Sequence, residues 1–268
     1  MKKIIKTLAS ALMLLTIIIS LSACSDDSDK LKVAMELAYP PFEGKNDAGE
    51  PYGVSIDIAN EIGKRIDMEV EIVNTAWTGL IPSLTTGKAD MVISSMTITD
   101  ERKETVDFTN PYANSLLAIL ANKKSNIETV DDLNKAGKKI AVKTGSTGYI
   151  FATNNLPNAE IIALEDESAC VLEVSQGKAD AFLYDQLTIY RNQQAYQDST
   201  EAIFIPFQDT EFWGIALKKG DSELLAKINT CLKEMQEDGT FDKISEKHLA
   251  EEKTAFEELG FKWFFDIN

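Results

Sequence analysis

The sequence predicts an α/β protein built from two related units in which strands alternate with helices. Three observations carry this reading. Gly87-Lys88-Ala89-Asp90 leads into the apolar run Met91-Val92-Ile93-Ser94, and Gly177-Lys178-Ala179-Asp180 leads into Ala181-Phe182-Leu183-Tyr184. Each copy has a strand-like segment upstream, residues 31–36 in the first and 139–142 in the second. Both copies follow a helical run, where glycine suits the left-handed position that ends a helix and an apolar run suits a buried strand.

Taken in order, the chain opens with Lys2, Lys3 and Lys6, an apolar run over residues 8–19 interrupted by Ser10 and Thr16, and Leu21-Ser22-Ala23-Cys24. Basic, apolar and small-residue regions in that order read as a secretory signal, and the run falls short of the ~20 residues needed to span a bilayer. The ending has the form of a bacterial lipobox. Residues 1–23 are therefore expected to be removed and Cys24 to carry a diacylglycerol thioether. Residues 24–30, with Asp26, Asp27 and Asp29, would form an acidic tether that keeps the body off an anionic lipid surface.

The 268 residues carry a formal charge of −16 with a pI of about 4.6, which argues against a nucleic-acid partner. A hydrophobic content of 44% supplies a real core. The single histidine, His248, cannot build a multi-histidine metal site, so no metal and no other cofactor is expected. Cys170 and Cys231 each sit in an apolar helical stretch; buried free thiols are the favoured reading, with a disulfide as the alternative.

Ile58, Ile62 and Ile66 share a helical face, and residues 70–73 form a short strand pattern. Strands alternating with helices argue for a mostly parallel sheet covered on both sides, with ligands beyond the carboxyl ends of its strands. That places the site just after Glu36, Val73, Ser94, Val142 and Tyr184. Residues 116–122 read as a strand leaving the first unit and residues 212–217 as a strand returning, which makes that unit discontinuous. The last helix is expected from Ser222 to about Gln236. Beyond His248 the tail is acidic, then aromatic (Phe256, Phe261, Trp263, Phe264, Phe265), for packing on a lobe or, second, for a partner.

Thr99 is a plausible N-cap for a helix whose first turn holds Asp100 and Glu101. Arg102, a cation near the positive helix end, needs a partner. It either pairs with Asp100 or Glu104 or clamps a ligand carboxylate. Lys143-Thr144-Gly145-Ser146-Thr147-Gly148 occupies the matching place in the second unit, as a tight capped turn or as a carboxylate cradle; its spacing is not that of a phosphate loop. Asp185, after the strand 181–184, is either an N-cap or the acceptor for an ammonium group. Tyr39 and Trp77 are packing residues or ligand platforms.

In their order, the lipobox, Tyr39-Pro40-Pro41-Phe42-Glu43, Gly79-Leu80-Ile81-Pro82-Ser83-Leu84, Gly87-Lys88-Ala89-Asp90, the run from Ser94-Ser95-Met96-Thr97 to Glu101-Arg102, and Lys143-Thr144-Gly145 resemble the extracytoplasmic amino-acid-binding proteins of ABC importers. The resemblance spans roughly residues 31–249. It implies the two-lobed type II periplasmic-binding-protein fold, with lobe 1 from 31–117 and 212–268, lobe 2 from 118–211, and two crossover strands between them. It further implies Arg102 as the α-carboxylate clamp, assisted by Thr97 and the backbone near Thr147. Ser95 and Asp185 would receive the α-ammonium, and Tyr39 and Trp77 would flank the side chain. Cys170 and Cys231 would then lie on different lobes, which supports free thiols.

Glu36 and Lys143 stand where members of the family differ. Facing the side-chain pocket, an acid and an amine would suit a glutamine-like amide and Lys143 would repel a cationic side chain; alternatively the two pair across the cleft and leave selectivity to shape. The expected function is that of a monomeric, lipid-anchored receptor that passes a polar L-amino acid to an ABC permease, not an enzyme. The rivals are a dehydratase on the same fold with Glu36 as general acid, and a sensor that reports ligand occupancy to a partner. A cationic L-amino acid is the alternative ligand.

Overall fold

In the computed structural model, which describes residues 30–267, the two Gly-Lys-Ala-Asp segments adopt one geometry. Gly87 and Gly177 both have φ of 72°, and each follows a helix, Leu80–Thr85 or Glu167–Ser175. The amides of the next two residues fold back onto one helical carbonyl, Ser83 in the first copy and Glu173 in the second. Asp90 then exchanges two bonds with Lys32: its amide donates to the Lys32 carbonyl at 2.8 Å, and its Oδ2 accepts from the Lys32 amide at 2.8 Å. Asp180 does the same with Lys139, at 2.7 and 2.8 Å. The aspartate thus sets the register of the strand that follows against its parallel neighbour. The signal, the Cys24 lipidation and residues 24–29 of the tether lie outside the described residues, and the first strand begins at Lys30.

Around each repeat stands a five-stranded sheet. The first runs Glu69–Asn74, Lys30–Met35, Met91–Val92, Ala216–Lys218, Val106–Phe108. The second runs Glu160–Leu164, Lys139–Lys143, Ala181–Asp185, Leu117–Asn122, Thr200–Ile203. Four of the five strands in each run the same way, as expected of a mostly parallel sheet, and the fourth in the order is reversed, antiparallel to both its neighbours. The reason lies in the crossing. Leu117–Asn122 and Ala216–Lys218 are the strands that enter from the other lobe; they come in from the cleft, where the parallel strands end, and so run the opposite way.

The crossing itself is an antiparallel pair, Ala113–Ser115 with Glu211–Trp213. The single returning strand expected over 212–217 is therefore two strands. The break falls at Gly214, where a Cβ would come within 2.8 Å of the Ile98 side chain, and whose amide bonds to the Met96 carbonyl instead of continuing a ladder.

Both sheets are covered on both faces. In lobe 1, Ile58 and Ile62 of the helix Val54–Arg65 pack with Ile228, Leu232 and Met235 of the helix Ser222–Glu237, while Leu80, Leu84 and Met96 cover the other face. In lobe 2, Ile140, Val142 and Leu183 face one layer and Ala141, Phe182 and Val174 the other. Ser222–Glu237 is not the last helix; Thr240–His248 and Ala250–Leu259 follow. The aromatic tail is core, with Phe256 and Phe264 fully buried in lobe 1. Cys170 in lobe 2 and Cys231 in lobe 1 are free and buried.

Candidate functional site

A cleft opens where the carboxyl ends of both parallel strand sets meet the crossover pair, and eight of the nine residues singled out from sequence line it: Glu36, Tyr39, Trp77, Ser95, Thr97, Arg102, Thr147 and Asp185. Lys143, the ninth, stands behind them. Its ammonium pairs with Glu36 Oε2 from the opposite lobe, while Glu36 Oε1 accepts from the Trp77 amide at 3.2 Å. Of the two readings of this pair, mutual pairing across the cleft is the one found.

Arg102 reaches the cleft from a single helical turn and a half, Asp100–Thr105, capped by Thr99, whose Oγ1 accepts from the Arg102 amide at 3.2 Å. The side chain is only 8% exposed. Its local ion-pair partners do not hold it; Lys103 takes Asp100 at 3.1 Å. Arg102 instead donates from Nη1 to the Thr97 carbonyl at 2.6 Å and from Nη2 to the Gly145 carbonyl of lobe 2 at 3.0 Å. The guanidinium lies 5.3 Å and the Lys143 ammonium 5.4 Å from the centre of the Trp77 ring. Burial lowers the Arg102 pKa, opposed by the charge of Glu211. Two neutral carbonyls leave that buried cation without a bonded anion, which is the electrostatic situation a carboxylate would relieve.

The turn between residues 143 and 148 is built as a cap: Ser146 Oγ accepts from the Tyr149 amide at 3.1 Å, and Gly145 takes φ of 72°. Gly145 turns its carbonyl, not its amide, toward Arg102. Thr147 offers its hydroxyl, donating to Glu211 at 3.0 Å.

Asp185 combines both of its sequence readings. It caps the helix Gln186–Ala195, accepting from the amides of Leu187 at 2.9 Å and Thr188 at 3.1 Å. It also accepts from the Tyr39 hydroxyl at 2.7 Å. All three bonds fall on Oδ1 and leave Oδ2 for another donor. Burial raises the pKa of this carboxyl. Ser95, φ 48°, holds a left-handed backbone that non-glycine residues adopt only when their surroundings enforce it.

Two further acids, Glu43 and Glu211, stand in the cleft wall beside the residues that the sequence singles out. Glu43, 1% exposed, accepts from the hydroxyls of Ser55 at 2.6 Å, Ser95 at 3.2 Å and Ser94 at 3.4 Å, and burial lifts its pKa to about 8. Its available signal was the cluster of serines in otherwise apolar segments, since buried hydroxyls require an acceptor. Glu211, on the crossover, accepts from Thr97 at 2.9 Å as well as from Thr147 and is raised by burial; no local pattern marks it.

The model of one protein family, the bacterial extracellular solute-binding proteins, family 3, matches residues 31–251. The chain belongs to that family. Among curated members it is 32% identical over 226 residues to the L-cystine-binding protein of Escherichia coli K12, covering 84% of each chain. With the glutamine-binding protein of Bacillus subtilis 168 the identity is 34% over 237 residues, 86% of this chain and 85% of that one. A solved ancestral arginine-binding protein with bound glutamine superposes at a TM-score of 0.75 and 36% identity, covering 82% of this chain and 98% of its own. Among the contacts that join the lobes at the junction described above are Arg102 with Gly145, Tyr39 with Asp185, Glu36 with Lys143, and Arg191 with the Pro40 carbonyl.

Proposed function

We propose that the protein is a lipid-anchored receptor, attached through Cys24 to the outer side of the cell membrane, that captures a polar L-amino acid and delivers it to the permease of an ABC importer. One observation carries this reading: a buried arginine of lobe 1, Arg102, and a buried carboxylate of lobe 2, Asp185, with its Oδ2 unengaged, face one cleft. A zwitterionic ligand would satisfy both. Because the two groups belong to different lobes, such a ligand binds the closed form better than the open one, and that difference drives closure. The names of the curated relatives, which bind cystine and glutamine, support an amino acid as the solute.

Within this reading glutamine is favoured. Glu36 and Lys143 satisfy one another, so what favours an uncharged side chain is the buried Lys143 ammonium behind the cleft, which disfavours arginine or lysine, and shape is left to choose among the uncharged ones. Turnover is not favoured, because Glu36, the acid a dehydratase mechanism would need, is bound to Lys143 and to the Trp77 amide. Calorimetric titration of protein lacking the first 24 residues, stripped by unfolding and refolding, against the standard L-amino acids tests the proposal. Tight one-to-one binding of glutamine or another polar amino acid is expected. Refolded protein that binds none of them would overturn it.

A further inference from the structure

Glu211 stands on the returning crossover strand, in the cleft wall, and both lobes bond to it. Thr97 of lobe 1 and Thr147 of lobe 2 each direct a hydroxyl at the same oxygen, Oε2, at 2.9 and 3.0 Å. The other oxygen, Oε1, accepts from Gln208 Nε2 at 2.6 Å, which fixes the carboxylate in place. Among the described residues no cation bonds to it.

From this junction we infer that Glu211 is a clasp: an internal carboxylate that joins the two lobes in the closed state and releases one of them when the cleft opens. The geometry requires it to discriminate between states. Thr97 and Thr147 ride on different lobes, so a single oxygen can serve both hydroxyls only while the lobes are together. When they part, Glu211 keeps one partner and loses the other, and the closed state alone has both charge-assisted bonds. A clasp of this kind works without ligand. It gives the empty receptor a closed population before any solute arrives and slows escape once a solute is inside.

The inference rests on the reading of the junction as an opening cleft, but its test does not depend on which solute binds. Labels at Lys88→Cys and Lys178→Cys, exposed positions at the far ends of the two lobes, report lobe separation in ligand-free protein by electron double resonance. Cys170 and Cys231 are buried and stay unlabelled, and Cys24, the third cysteine, is absent from the labelled protein, which lacks the first 24 residues. Glu211→Ala is expected to lower the ratio of closed to open molecules about tenfold. Thr147→Val, which removes one arm and keeps the shape, should act in the same direction. Combined with Glu211→Ala it should add nothing further, a non-additivity that mere loss of stability does not produce. If Glu211→Ala folds poorly, Glu211→Gln with Thr147→Val provides the same cycle. An unchanged distance distribution in the substituted proteins, additive effects, or a wild-type protein that is wholly open without ligand would overturn the clasp. Where an amino acid does bind, its dissociation should accelerate about tenfold in Glu211→Ala; absence of any amino-acid ligand would count against the receptor reading and leave the ligand-free distances to decide the clasp.

Discussion

The hydroxyl of Tyr39 in lobe 1 donates to Oδ1 of Asp185 in lobe 2 at 2.7 Å, and this bond joins the lobes at the end of the cleft where an ammonium is expected. Both groups are buried, so the bond is shielded from water, and it favours the ionised carboxylate against the burial that raises its pKa. Tyr39→Phe removes it while preserving the stack of Tyr39 on Phe42, ring centroids 5.6 Å apart. The expected result is amino-acid affinity weakened about tenfold, the scale of one bond to a charged group, with a nearly unchanged melting temperature. Calorimetry beside thermal unfolding checks both; equal affinity would show that the bond does not contribute to closure on a ligand.

Arg102 is the strongest single test of the receptor. Its fork already gives Nη1 and Nη2 to two carbonyls, so a carboxylate meets a cation held in position before it arrives. Arg102→Ala is expected to weaken binding by about a hundredfold or more, the range for losing one side of a buried charge pair. Arg102→Lys should rescue little, since an ammonium cannot reproduce the fork. Circular dichroism should show the fold retained in both. Near-native affinity in the alanine variant would refute the assignment.

How far a feature of this fold is legible in the sequence depends on how local its cause is. The Gly-Lys-Ala-Asp repeat was legible because helix end, strand start and register are set within a few residues, down to matching Asp90 and Asp180 bonds. Arg102 was legible because a cation in a first helical turn demands an explanation beyond the helix. Glu211 was not, because it bonds to hydroxyls 114 and 64 positions away and only the crossover brings them together. The reversed strand in each sheet is not legible for a related reason: a strand's direction depends on which lobe the chain has just left, and apolar runs carry no direction. Mutual pairing of Glu36 and Lys143 could be named as an alternative but not chosen, since it depends on how near two lobes approach.

That pair sets the selectivity prediction. Lys143 is 3% exposed, paired with Glu36 and held with its ammonium over Trp77, so it fixes a positive charge behind the Glu36 end of the cleft. Lys143→Met removes the charge and frees Glu36. The ratio of arginine to glutamine affinity is then expected to rise by about tenfold or more, from relief of repulsion and from exposure of an acceptor for a cation. Glu36→Gln in the same background should return the ratio toward its starting value. Competition titrations of the two amino acids measure it, and an unchanged ratio would assign selectivity to shape alone.

Glu43 gives the protein a pH dependence of definite sign. Buried against three serine hydroxyls, with the Glu36 charge also raising it, its folded pKa is about 8 against an ordinary 4.5. Between those values the folded protein keeps a proton that the unfolded chain has released. Stability therefore falls as pH rises through this window and levels off above about 8. At about 1.4 kcal/mol per unit the effect is on the order of a few kcal/mol. Glu167, also lifted to about 8 by burial and the Asp185 charge, adds a slope of the same sign. Glu43→Gln cannot ionise, so its stability relative to wild type should grow steadily from pH 5 to pH 8 while the Glu167 contribution cancels in the difference. Denaturant titrations at intervals across that range would sink the idea if the two proteins ran parallel.

The tail makes a prediction about stability that reaches the cleft. Asn114 on the outgoing crossover strand donates through Nδ2 to the carbonyls of Trp263, Phe264 and Asp266 at 2.6, 3.0 and 3.1 Å, so the tail is fastened to the crossover. Phe264, fully buried, then packs edge-on to Phe42 at 5.0 Å and stacks near Trp213 at 5.6 Å. Those two rings stand directly against Tyr39, at 5.6 and 6.2 Å. Phe264→Ala leaves a cavity behind this aromatic wall, and the expected loss is about 3–5 kcal/mol. Because Tyr39 and Trp213 line the cleft, amino-acid affinity should fall as well, by a smaller factor than in Tyr39→Phe. Phe261→Ala provides the contrast: Phe261 is half-exposed and meets Phe204 of lobe 2 at 5.0 Å, away from Tyr39. Its loss of stability should be smaller and its affinity unchanged, and equal effects of the two substitutions on binding would break the link between tail and cleft wall.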